Sequence, residues 1–135
     1  MSVKDFVQQR RDALIAMRRD FHMYPEPAWL EYRSAAKVAD TLISLGYDVA
    51  LGADVLDLDS RMGLPSDEVM KAAMDRAIEE GANPELVEKM GYGKTAIVAT
   101  MKFGGEGPVV AFRVDMDSND VIEAKEDNHV PAKGG

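Results

Sequence analysis

Asp115 and Asp117 are the residues whose types and spacing are best suited to chemistry in this 135-residue chain. They follow residues 109–114 (VVAFRV), a run of β-branched and apolar residues whose pattern predicts a strand. Alternate residues of a strand share a face, so the two carboxylates would point toward one cation or one histidine. The plainer reading is a pair of strand-terminus carboxylates that cap the loop after them. Asp115, Asp117, Asn119 and Glu126 also match positions 1, 3, 5 and 12 of a calcium loop, with Ile122 in the apolar slot. That match fails at position 6, where Asp120 stands in place of the glycine the sharp turn needs. The strand expected before Asp115 also replaces the entering helix. A small calcium-binding module is therefore the alternative reading of these four residues.

Two further motifs reduce to structural readings. Gly91, Gly93, Lys94 and Thr95 suggest a phosphate loop, but the first glycine of that motif would fall on Glu88, and a strand follows where a helix is required. His22 stands where a helix gives way to a turn containing Pro25 and Pro27, a place where the helix dipole favours an imidazolium. Arg10, Arg11, Arg18 and Arg19 read as a solvated helix face.

The elements that must position these groups are helices and short strands. Val3, Val7, Leu14, Met17 and Phe21 fall at helical spacing and predict one amphipathic helix over residues 3–23, with Arg10 in its apolar stripe. Pro25 and Pro27 make 22–28 a turn, because proline donates no backbone hydrogen bond and pushes its predecessor out of the helical region. A second helix follows, with Tyr32, Ala35, Ala36, Ala39, Leu42 and Ile43 on one face and Gly46 as its C-terminal cap. Residues 47–51 then read as a short strand. Beyond Gly52 the composition changes. Asp54, Asp57 and Asp59 precede Ser66, an N-cap for a helix that carries Val69, Met70, Ala73, Met74, Ala77 and Ile78 on one face and stops at Gly81. Asn83 and Pro84 open a short helix to about Met90. Residues 95–102 and 109–114 are expected to pair as strands across the glycine-rich loop 104–108.

Composition limits the class of protein. The chain is 46% hydrophobic and 30% charged, which suits one globular core, and no apolar run approaches the ~20 residues of a membrane span. Lys4, Arg10, Arg11, Arg18 and Arg19 interrupt the first twenty residues, where a secretory leader would be continuously apolar. With no cysteine there is no disulfide framework, and a cytoplasmic location is expected. A net charge of −8 disfavours nucleic acid, since binding phosphates takes clustered Lys and Arg.

Two ordered motifs resemble a known family. Arg18-Arg19-Asp20-Phe21-His22-Met23-Tyr24-Pro25-Glu26, then Glu31-Tyr32-Arg33-Ser34-Ala35-Ala36 and Leu45-Gly46-Tyr47, resemble the opening of the zinc-dependent aminoacylase, carboxypeptidase and indole-acetyl-amino-acid hydrolase family. Val109-Val110-Ala111-Phe112-Arg113-Val114-Asp115-Met116-Asp117 resembles a strand of the same family that ends in Arg-x-Asp-Met-Asp. Ser60-Arg61-Met62-Gly63-Leu64-Pro65, Asp120 and His129-Val130-Pro131 resemble one branch with a helical insertion here, the branch that hydrolyses p-aminobenzoyl-glutamate. Ser118-Asn119 departs from that pattern, in which Ala-Leu is usual.

The resemblance implies an α/β fold: the N-terminal portion of a catalytic domain, with a mixed central sheet flanked by helices and an insertion over about 52–93. It implies a metal-dependent amidohydrolase of small amides, with two divalent metals, zinc or manganese, a downstream Glu as general base, and association with a B subunit or with further copies. The family's main metal ligands match positions beyond Gly135, so this chain alone is expected to hold no metal and to be inactive. Asp117 would act next to a metal ligand and orient it, and Asp115 would lie near the metals. His22, Glu123 and His129 would lie on the substrate side. A different class, a standalone interaction domain that kept the fold without the enzyme, remains the other alternative.

Overall fold

The computed structural model describes residues 2–119. The chain divides into two compact units, one with residues 1–25 and 119–135, the other with residues 26–118. In the first, helix α1 (Val3–Gln9) opens with a capping box: the Ser2 hydroxyl accepts the Asp5 N–H, and the Asp5 carboxylate accepts the Ser2 N–H. The single helix expected over 3–23 is two, because Arg10 leaves helical geometry at φ −100°, ψ 5° and α2 (Arg11–Met23) starts afresh. The Arg10 guanidinium lies 4.6 Å from the centroid of the Phe6 ring, a cation–π contact. The apolar stripe that suggested a continuous helix includes Val3, Val7, Leu14 and Met17, all exposed.

The second unit is built on α3 (Tyr32–Ser44), whose buried face carries Tyr32, Arg33, Ser34, Ala35, Ala36 and Ala39. It ends as its sequence predicts. Gly46 takes φ 87°, its N–H donates to the Ile43 carbonyl, and the Tyr47 N–H reaches back to that of Leu42, a Schellman closure. Helix α4 (Asp67–Glu79) starts at Ser66, whose hydroxyl accepts the Val69 N–H, and closes in the same way through Gly81 and Ala82. Asn83 caps α5 (Pro84–Met90) by accepting the Glu85 N–H, with proline in the first turn where no donor is lost. The stretch 52–93 thus holds α4 and α5, preceded by two short 3-10 turns.

Strand β1 (Asp48–Leu51) pairs antiparallel with β2 (Ile97–Thr100), Leu51 opposite Ile97 and Asp48 opposite Thr100. This corrects the pairing expected between 95–102 and 109–114. The Gly52 N–H bond to the Ala96 carbonyl extends the β1–β2 ladder, and Leu51 is buried in the core at its end. Residues 109–114 form no strand, and Val109 is 98% and Phe112 91% exposed. A β-rich pattern yields a strand only where another backbone offers the matching donors and acceptors. Among the described residues none is paired with this run.

The core joins Tyr32, Ala35, Ala36 and Ala39 of α3 to Leu51 of β1, Ala73 and Ala77 of α4, Ala82, and Val87 and Met90 of α5. Alanine dominates it, and such small side chains allow helices to approach closely. Only half of the expected α4 face is inside: Met70, Ala73 and Ala77 are buried, while Val69 and Ile78 are exposed. The fold is α/β, helices packed on a small sheet, as the sequence implies.

Gly52 has φ 71°, and a Cβ there would stand 3.0 Å from the Lys89 carbonyl oxygen, whereas Gly63, also at φ 71°, has nothing within 4 Å. Gly52→Ala is expected to destabilise the chain by roughly 1–3 kcal/mol and by more than Gly63→Ala, as read by urea unfolding. The exposed run 109–114 is expected to drive concentration-dependent self-association that Phe112→Glu reduces, as read by sedimentation velocity.

Candidate functional site

The segment from Asp115 to Ser118 is held to the second unit at two points. Met116 is partly buried and packs against the core cluster, whereas Asp115 and Asp117 on either side are exposed. This alternation is that of an extended backbone, and it turns both carboxylates away from the core. Past them, Ser118 donates its N–H to the Glu26 carbonyl oxygen at 2.9 Å and its hydroxyl to the same oxygen at 3.3 Å.

Glu26 is itself anchored. Its carboxylate, with the residue 2% exposed, accepts the Arg33 N–H at 2.9 Å and the Ser34 N–H at 2.7 Å, two donors that the first turn of α3 would otherwise leave unmade. Burial pushes the Glu26 carboxyl above the usual carboxylate range, and the bonds from Ser34 and Arg33 pull it part of the way back. Around it, α3 reaches the segments that follow α4. The Tyr32 hydroxyl accepts the Gly93 N–H at 2.8 Å, Arg33 Nε donates to the Glu80 carbonyl at 3.0 Å, and Thr95 Oγ1 donates to Glu31 at 2.7 Å. Arg61 adds bonds from Nη1 to the carbonyls of Tyr92 and Gly93. Gly91, Gly93, Lys94 and Thr95 thus serve as an anchored approach to β2, as expected, with a strand after them.

The structure brings together Asp115 and Asp117 but places them on an irregular extended segment. The expected strand end is absent. Asp115 pairs with Arg113 at 3.0 Å, both side chains largely exposed, a contact worth little in water. The calcium-loop alternative loses its entering helix, since the residues before Asp115 are not helical, and Glu126 lies outside the described residues. His22 is in the last turn of α2, in the other unit. Glu123 and His129 lie outside the described residues. Among the described residues no group of three or more His, Cys, Asp or Glu could hold a metal ion, while a catalytic zinc takes about three protein ligands. The described residues therefore do not make a divalent-metal site by themselves. Sequence reasoning gave Glu26 no role of its own. A glutamate directly after a proline and a few residues ahead of a helix is the signal that could have found it.

An α/β chain with helices over a small sheet and a tethered, outward-facing carboxylate pair matches solved and curated proteins along nearly its whole length. It superposes on the crystal structure of an aminobenzoyl-glutamate utilization protein from Klebsiella pneumoniae with a TM-score of 0.84 and 46% identity, covering 89% of this chain and 30% of that one. It is 42% identical over 134 residues to the A subunit of p-aminobenzoyl-glutamate hydrolase from Escherichia coli K12, covering 99% of this chain and 31% of the relative. It is also 43% identical over 129 residues to an indole-3-acetyl-aspartic acid hydrolase of Enterobacter agglomerans, covering 96% of this chain and 30% of that protein. No family model matches. The chain is thus homologous to part of the p-aminobenzoyl-glutamate hydrolase A subunit, as its motifs implied, and spans about 30% of the length of the curated relatives it matches.

A raised folded pKa means that the folded state holds its proton where the unfolded chain has lost it. Glu26 therefore stabilises most below the ordinary glutamate pKa, and this contribution falls as pH rises through its raised value. The stability of the wild type relative to Glu26→Gln is expected to fall across that window, as measured by urea unfolding at a series of pH values.

Proposed function

We propose that this chain forms part of an amidohydrolase that cleaves the amide between an aromatic acyl group and an acidic amino acid, as in p-aminobenzoyl-glutamate. One observation carries this reading: the similarity extends over 96% and 99% of the chain to two hydrolases whose names specify an aromatic acyl group joined to aspartate or glutamate. Water adds across the C–N bond, and the products are a carboxylic acid and the free amino acid. Asp117 and Asp115 contribute the wall of the active site nearest the reacting groups, with Asp117 orienting its neighbours as an acceptor. The two divalent metals belong to this reading as a requirement of the whole protein, with further ligands outside the described residues. Two relatives carry names that make each the A subunit of a hydrolase or its homolog, which supports a second kind of subunit as partner.

The test is glutamate release from p-aminobenzoyl-glutamate in the presence of zinc or manganese. The 135-residue chain is expected to release none, and a longer gene product that carries this segment is expected to release glutamate. In that longer protein Asp117→Asn is expected to lower kcat about 10- to 100-fold. Turnover by the short chain, or full activity of Asp117→Asn, overturns the reading.

A further inference from the structure

We propose that Glu26 is the positioning residue of the Asp115 and Asp117 carboxylate pair. Its two polar ends hold different parts of the chain. The carboxylate fixes residue 26 to the first turn of α3 through the Arg33 and Ser34 N–H groups, and the carbonyl oxygen then receives the Ser118 N–H and hydroxyl, 92 residues further on. Asp117 lies between Met116, packed against the core, and Ser118, bonded to Glu26, so it is secured on both sides. With Cα atoms ~3.8 Å apart along the chain, two fixed neighbours leave its backbone little room to move. Residues 109–114, with no such hold, are exposed throughout.

Helix capping alone does not account for this arrangement. A side chain at the N-cap position could satisfy the same donors locally without burying a carboxylate, which is costly even when hydrogen-bonded. Glu31 occupies that position, yet it makes no capping bond and accepts from Thr95 instead. Capping from Glu26 adds what a local cap cannot, a carbonyl oxygen fixed in place for Ser118.

The structural half of the proposal is tested on the 135-residue chain by NMR hydrogen exchange and relaxation. Glu26→Gln is expected to speed exchange of the Ser118 amide by about tenfold relative to amides of β1 and β2, and to increase the motion of the Asp117 amide. Ser118→Pro removes both donors to the Glu26 carbonyl, the N–H and the hydroxyl, without touching α3, so it tests the same link if the Glu26 variant unfolds. It is expected to loosen Asp117 while α3 is unchanged. Unchanged exchange at Ser118 in Glu26→Gln, or unchanged motion of Asp117 in Ser118→Pro, overturns the proposal. The catalytic half rests on the role proposed for Asp117. In the longer, active protein Ser118→Pro is expected to lower kcat for p-aminobenzoyl-glutamate with KM little changed. If Asp117→Asn lowers kcat and Ser118→Pro leaves it unchanged, positioning by Glu26 fails. If Asp117→Asn itself is fully active, the functional reading fails and the exchange result stands.

Discussion

Two bonds from the first turn of α3 to the Glu26 carboxylate fix the start of the helix on which the second unit is built. A helix begins with N–H groups that lack intrahelical partners, and a buried carboxylate that accepts two of them exchanges a large desolvation cost for charge-assisted bonds of ~1.5–3 kcal/mol each. Once that turn is set, Tyr32 and Arg33 stand within it, and their side chains reach the Gly93 N–H and the Glu80 carbonyl. The same turn thus orients the end of α4 and the approach to β2 against α3.

The core beneath this frame is small and rich in alanine. Small side chains let helices approach closely, and a close approach brings more atoms into dispersion contact. Polar staples complete the work where apolar area is scarce: Trp29 Nε1 to the Met62 carbonyl, Arg61 to the carbonyls of Tyr92 and Gly93, and Asn83 to Asp40. Trp29 takes a left-handed φ of 69°, unusual for a bulky residue, in the same turn that carries Glu26 toward α3. The frame then ends at Ser118, and the carboxylate pair lies just inside it.

The functional reading and the geometry bear on different scales. The similarity to hydrolases of aromatic acyl amino acids concerns the whole chain, whereas the site proposed for it rests on Asp115 and Asp117 alone. An exposed carboxylate pair on a secured backbone can act as a wall and as an orienting acceptor. A pair without a third ligand among the described residues does not bind a catalytic metal alone.

The local elements were legible in the sequence because their determinants are local. Ser66, Asn83 with Pro84, Gly46 and Gly81 act within a few residues of themselves, and the helices they bound begin and end where those residues require. The break at Arg10 was not legible, since periodicity through a stripe does not reveal one residue leaving the helix. Strand pairing was not legible either: residues 109–114 and 95–102 both read as strands, yet β2 took β1 as its partner, with Asp48 forty-nine residues before Ile97. Pairing is decided by which backbone is brought alongside, and that depends on how α3 and α5 pack. The motif that pointed to Asp115 and Asp117 was likewise visible as residue types in order. Their hold on the core was decided by tertiary structure alone, because the Glu26 carbonyl and the Ser118 N–H are 92 residues apart in the chain and meet only in the folded unit.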